Sequence, residues 1–184
     1  MQRFLSELMQ TKDKFKAGAT TLEVVRHPEK YISAKYSSNL SNLELEDLIS
    51  HAAGSGNFRF DAKWKIKNQD GKEIDIFVDT KNYSRASNMF GDLGQFKAYL
   101  ENIDSFDKLY IIQQGGRGVT REQIIAQLER AIAKDARSVF NANRNVWINM
   151  GIGTFADLER ICRAQGLSSA SAFQIFRNII QTTN

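Results

Sequence analysis

The chain has 184 residues, enough for one domain with a substantial core, and 42% hydrophobic with 25% charged residues excludes global disorder. One cysteine, Cys162, excludes an intrachain disulfide, and with only two histidines a structural Cys/His zinc site is excluded too. The net charge is +4, and the basic excess lies late: acids and bases nearly balance through Asp107, whereas ten basic residues face five acidic ones from Lys108 onward.

The first forty residues read as short helices. Phe4, Leu5, Leu8, Met9 and Phe15 fall near helical spacing, and Thr21-Leu22-Glu23-Val24-Val25 adds a turn or two that His27-Pro28 ends. Residues 41–53 are expected as a helix, capped by Ser41 or Asn42, with Leu45, Leu48, Ile49 and Ala52 in one stripe and Gly54-Ser55-Gly56 as its stop. Two strictly alternating runs follow, 58–67 and 73–81, joined by the hairpin signal Asn68-Gln69-Asp70-Gly71-Lys72. A helix is expected over 86–102, carrying Met89, Phe90, Leu93, Phe96 and Leu100. Lys108-Leu109-Tyr110-Ile111-Ile112 reads as a short apolar strand ended by Gly115-Gly116. A long amphipathic helix is expected from Thr120 to about residue 140, a last strand at Val146-Trp147-Ile148, and two closing helices over 155–164 and 169–181. The expected fold is α/β, a mixed central β-sheet flanked by helices. It forms a single domain over 1–184, with a helical extension (1–40), a core (41–114) and a mainly helical C-terminal part (115–184).

The hairpin register can be derived. A three-residue loop Gln69-Asp70-Gly71 puts glycine at the left-handed position such loops favour. Ile66 then faces Ile74, Trp64 faces Ile76 and Ala62 faces Val78, all apolar on one face, while Lys65 meets Asp75 as an ion pair on the other. A one-residue slip would oppose apolar to polar throughout. The same register sets Asp61 opposite Asp79, with Cβ atoms about 4.5–5.5 Å apart, where like charges repel unless something compensates. A divalent cation compensates, and a few carboxylate oxygens with water and phosphate describe a Mg²⁺ site. Lys81 lies two residues beyond Asp79 on the same face. Two acids, a cation and a lysine suit phosphodiester hydrolysis: the metal polarises phosphate, and the lysine orients water or stabilises developing charge.

This constellation resembles the PD-(D/E)XK, or restriction-endonuclease-like, nuclease superfamily, over roughly Leu43 to Ile112. The resemblance implies an α-β-β-β-α-β core with extra helices at both ends. Phe60-Asp61 stands for the first acid, without the family's proline, and Val78-Asp79-Thr80-Lys81 for the second half-motif. Glu46, in Leu45-Glu46-Asp47-Leu48-Ile49, looks like the glutamate many members carry on the preceding helix, with Glu44 as the alternative. Gln95-Phe96-Lys97-Ala98-Tyr99 matches the Gln-x-x-x-Tyr of exonuclease-like branches, and a spacing of four puts both side chains on one helix face. The resemblance thus implies catalytic Asp61, Asp79, Lys81, Glu46, Gln95 and Tyr99. Asp61, Asp79 and Glu46 would serve a divalent metal, Mg²⁺ first, with Mn²⁺ or Zn²⁺ as alternatives. The run from Gly56 to Asp61, the acid-x-lysine strand and Gln-Phe-Lys-Ala-Tyr-Leu are also similar to the C-terminal nuclease domains of bacterial contact-dependent growth-inhibition and other polymorphic toxins. That similarity implies a DNA or tRNA substrate, a cognate immunity protein, and action in the cytoplasm of a target bacterium after delivery within a larger secreted protein.

No apolar run approaches the roughly 18 residues of a membrane span, and the opening lacks a signal-peptide pattern. A cytoplasmic protein, or a piece of a larger exported one, is expected, with no membrane partner. Arg130, Lys134 and Arg137, at i, i+4 and i+7, form a basic stripe that reads as a phosphate track or as a solvated helix face. Asn82 and Tyr83 follow the acid-x-lysine strand and could touch substrate. His27, His51 and Cys162 form no catalytic set. Two alternatives stay open: a non-catalytic nucleic-acid-binding module, and a phage or mobile-element nuclease.

Overall fold

A computed structural model of the chain describes residues 18–49, 58–67, 70–91 and 93–183. The apolar spacing at Phe4 to Phe15 and the Gly54-Ser55-Gly56 stop lie outside the described residues. A mixed α/β architecture emerges. Helix α1 (Gly18–Arg26) ends before Pro28, which cannot donate a helical hydrogen bond and starts a 3₁₀ turn instead. A one-turn helix α2 (Ala34–Ser37) leads into strands β1 (Ser41–Ile49), β2 (Phe58–Lys67) and β3 (Glu73–Lys81). Helix α3 (Gly94–Glu101) and strand β4 (Leu109–Gln113) follow. Helices α4 (Arg121–Lys134), α5 (Ala136–Ala142), α6 (Arg144–Asn149) and α7 (Phe155–Ala164) precede a 3₁₀ stretch (Ser169–Ile179) and strand β5 (Ile180–Thr182).

The five strands form one sheet in the order β1-β2-β3-β4-β5. β1–β2 and β2–β3 are antiparallel, β3–β4 and β4–β5 parallel. The hairpin register is the one its apolar alternation demands: Ala62 pairs with Val78, Trp64 with Ile76, Ile66 with Ile74 and Lys65 with Asp75. Gly71 takes the left-handed φ of +77° that the loop requires. Only the ion pair differs, since Lys65 Nζ meets Glu73, two residues before Asp75 on β3, at 3.3 Å.

Five elements differ from their sequence reading. Residues 41–49 form a strand, so Glu46 lies on β1 and not on a helix. Asn42-Leu43-Glu44-Leu45-Glu46 alternates with period two, and pairing with β2 decides between that period and the helical stripe. The expected helix over 86–102 is a 3₁₀ turn (Ala86–Asn88), an irregular strap and the shorter α3, because Phe90 (φ 58°) and Leu93 (φ 54°) are left-handed. The helix begun by the Thr120–Gln123 capping box breaks at Asp135 into α4 and α5. Val146-Trp147-Ile148 is helical, not a strand. Asn143 caps α6 by accepting from Val146 N at 3.2 Å, and Val146 and Trp147 are buried while Ile148 is exposed. The last expected helix is 3₁₀ and ends in β5, whose residues extend the sheet beside β4.

Two cores cover the two faces of the sheet. On one, Ala62, Trp64, Ile66, Ile76, Val78 and Ile112 pack with Val24 of α1 and with Tyr31 and Tyr36. On the other, Phe77, Leu109 and Ile111 meet α3, α4, α5, α6 and the 3₁₀ stretch. Phe60 belongs to this second core although Ala62 belongs to the first, so the alternation of β2 breaks at Asp61. The Phe60 ring lies 4.4 Å from that of Phe77 and stacks on Tyr99 at 4.5 Å. Among the described residues no helix is long and apolar enough to cross a membrane.

Candidate active site

Strand period two sends Asp79 and Lys81 to the α3 face of β3 and Thr80 to the other. Asp79 is 3% exposed. Lys81 Nζ lies 2.7 Å from Asp79 Oδ2 and donates to Gln95 Oε1 at 2.8 Å. Asp79 Oδ2 is buried and has the Lys81 ammonium as its partner. One turn along α3 from Gln95, Tyr99 hydrogen-bonds the Asp79 carboxylate, and its ring centroid lies 6.0 Å from Lys81 Nζ. Asp79, Lys81, Gln95, Tyr99 and Tyr83 line a cavity of about 130 Å³ together with Asn88, Met89, Phe90, Gly91 and Leu93 of the strap. A larger cavity of about 690 Å³, lined by Tyr31, Asp104, Tyr110 and Met150 among others, contains none of the sequence-derived site residues.

The electrostatics favour the charged form of Lys81 and the neutral form of Tyr99. Burial works against the Lys81 ammonium, but the Asp79 carboxylate outweighs it and holds the pKa above its ordinary value. Lys81 is therefore held as a cation and a hydrogen-bond donor. Burial, then the Asp79 charge, push the Tyr99 hydroxyl well above its usual value, so it keeps its proton and donates.

Asp61 lies just beyond the last ladder pair, Ala62 with Val78. Its Oδ2 accepts from Thr80 N at 2.6 Å and from Thr80 Oγ1 at 2.8 Å. The side chain thus takes the amide that a longer ladder would have claimed. Burial first, then the Asp79 charge, raise the Asp61 pKa to about 6, against the opposing Thr80 bonds and Lys81. The Asp79 charge acts on Asp61, but the expected direct pairing of the two acids is not formed: the ladder ends at Ala62–Val78 and Asp61 turns to Thr80.

The remaining residues divide. The register that pairs Leu45 with Ala62 and Asp47 with Phe60 sets Glu46 beside Asp61 on the neighbouring strand; its side chain lies outside the described residues. Glu44 instead meets Lys63 at 2.8 Å. Among the described residues no group of three His, Cys, Asp or Glu assembles. Tyr83 lines the site cavity, whereas Asn82 is exposed. Arg130 and Lys134 are exposed on α4 and line a depression that shares Phe90, Gly91 and Leu93 with the site cavity. Arg137 lies past the break, on α5, with its guanidinium over the Phe155 ring at 5.4 Å, away from that depression.

Sequence reasoning passed over two supports. Thr80 sits inside the Asp79-Thr80-Lys81 motif and orients Asp61. Gln113, fully buried, accepts from Tyr83 N and donates to Tyr83 O at 2.9 Å, tying the loop after β3 to the end of β4. A polar residue closing the apolar run 109–112 was the available signal. No family model, curated protein or solved structure matches the chain.

Proposed function

We propose that the chain is a metal-dependent nuclease that hydrolyses phosphodiester bonds of DNA or structured RNA such as tRNA. The observation that carries this reading is the convergence of Asp79, Lys81, Gln95 and Tyr99 on one cavity, with Asp61 just beyond them at the open end of the hairpin. The succession α1-β1-β2-β3-α3-β4, apart from the one-turn α2, supports the restriction-endonuclease-like core that the sequence resemblance implies. Delivery as a toxin and blockade by an immunity protein rest on that resemblance alone.

The donor set fits a divalent cation. Asp61 and Asp79 offer hard, partly desolvated carboxylate oxygens, with the Lys81 ammonium 2.7 Å from Asp79 Oδ2. Asp61 and Asp79 would hold the ion, with Glu46 the nearest further acid by register. Mg²⁺ is the first choice, and Mn²⁺ or Zn²⁺ would serve the same oxygens. When bound, the cation supplies charge neutralisation at the phosphate and acidifies water. The chain's own groups do the rest. Lys81 contributes a fixed positive charge where phosphate oxygens gain negative charge, Gln95 aims it, and Tyr99 holds Asp79 in place. Arg130 and Lys134 contact the phosphodiester backbone next to the strap.

The test is cleavage of plasmid DNA and total bacterial tRNA by purified protein, with Mg²⁺, Mn²⁺, Zn²⁺ or EDTA, beside the Lys81→Ala variant. Metal-dependent cutting of one substrate that disappears in the variant is expected. Folded protein that binds nucleic acid but cuts neither substrate would replace the reading with a non-catalytic binding module.

A further inference from the structure

Asp61 is not held by its own strand alone. Thr80 Oγ1 lies 2.8 Å from Asp61 Oδ2 and 2.7 Å from Thr21 Oγ1, which comes from α1, fifty-nine residues earlier in the chain. Thr21 and Thr80 are 2% and 4% exposed, so this chain of hydroxyls is sealed from water by the core that α1 covers. A hydroxyl carries one proton, and an ionised carboxylate only accepts. Thr80 therefore gives its proton to Asp61 and must accept from Thr21, which fixes a direction: α1 to β3 to Asp61. The Thr80 amide, at 2.6 Å, adds a second donor to the same oxygen.

We infer that Thr80 and Thr21 are positioning residues for Asp61: their relay engages Oδ2, leaves Oδ1 without a Thr80 bond, and so selects the oxygen that faces a divalent cation. The inference rests on the nuclease reading above for the identity of that ligand. It also makes α1 part of the working site, although the sequence alone presents residues 1–40 as an extension of the core. Groups that orient a metal ligand in this way typically change metal affinity or activity by about 10–100-fold when removed.

The test compares Thr80→Val, Thr80→Ser and Thr21→Val with the wild-type chain. Mn²⁺ affinity is measured on the free protein by electron paramagnetic resonance. The Mg²⁺ concentration giving half-maximal cleavage, the rate at saturating Mg²⁺ and the melting temperature are measured alongside. Thr80→Val is expected to weaken Mn²⁺ binding about 10-fold and to raise the Mg²⁺ requirement in proportion, with a smaller change in the saturated rate. Thr80→Ser keeps the hydroxyl and restores affinity. Thr21→Val, one step removed, weakens it about 3-fold on the same scale. Wild-type affinity in Thr80→Val, or equal loss in Thr80→Ser, overturns the relay while leaving the nuclease reading intact. A wild-type chain that binds no Mn²⁺ overturns both.

Discussion

The two carboxylates, buried Asp79 on β3 and half-buried Asp61 on β2, are held by different means. On the α3 face, Asp79 is matched by a full charge, Lys81, which Gln95 locks in place. Asp61 has no ion pair as close as that; its hydrogen bonds come from dipoles, the Thr80 amide and hydroxyl backed by Thr21. Dipoles orient a carboxylate without supplying a countercharge, and burial, then the Asp79 charge, raise the Asp61 pKa to about 6. The contrast assigns complementary tasks. Asp79 and Lys81 form a stable pair that sets the geometry of the cavity. Asp61 is aligned but electrostatically costly, and an added cation would relieve that cost.

The largest effects should follow from breaking the charged side of this comparison. Lys81→Ala leaves Asp79 buried and unpaired, which costs about 3–5 kcal/mol of stability while the chain stays folded. Cleavage should fall by about 10²–10³-fold or more. Adding Asp79→Asn to Lys81→Ala should recover most of the stability in urea titrations and none of the activity. A double variant as unstable as Lys81→Ala alone would contradict the pairing of these two residues.

The dipole-held side gives an effect of opposite sign. The folded-state pKa of Asp61 is raised, so its neutral form stabilises the fold below the ordinary carboxylate value of 3.8, and this contribution is lost as pH rises through about 6. Asp61→Asn keeps an oxygen that can accept from Thr80, and should stabilise metal-free protein by roughly 1–3 kcal/mol at pH 7.5. The gain should shrink toward zero near pH 4. Denaturation in EDTA across that range checks it, and an Asn variant less stable than wild type at pH 7.5 would contradict the burial and charge opposition described for Asp61.

How much of this was legible in the sequence follows from where local and long-range forces agree. Between Ala62 and Val78, alternation, turn chemistry and charge all specified one register, and the strands pair in it. At Ser41 to Ile49 two periods coexisted, and only the neighbouring strand chose between them. At Val146-Trp147-Ile148 a β-favouring composition was overruled by the Asn143 cap, whose amide also donates to Ile103 O at 3.2 Å. Among site residues, Asp79, Lys81, Gln95 and Tyr99 were readable because each sits at a fixed spacing on one element. The Thr21–Thr80 hydrogen bond was not, because it joins elements fifty-nine residues apart and no local pattern encodes it. The strap over the cavity was hidden for a similar reason: the left-handed Phe90 and Leu93 contradict their own side-chain preferences.

The smallest effects concern what surrounds the two carboxylates. Gln95→Ala removes one hydrogen bond to Lys81 and leaves the ion pair, so cleavage should fall by about 10-fold, in line with the roughly 1.5 kcal/mol of a charge-assisted bond. Outside the cavity, Arg130 and Lys134 border the strap while Arg137 rests on Phe155. Reversing Arg130 and Lys134 to glutamate should weaken nucleic-acid binding, measured with inactive Lys81→Ala protein, and flatten the dependence of log K on log salt by about one for each phosphate no longer neutralised. Arg137→Ala should leave binding and its salt slope nearly unchanged, because that guanidinium is spent on an aromatic face of the C-terminal helices. Equal weakening in all three variants would mean that the basic stripe acts as a unit across the break at Asp135. Weakening confined to Arg130 and Lys134 would place the incoming strand along the wall shared by the depression and the cavity, where it reaches Lys81.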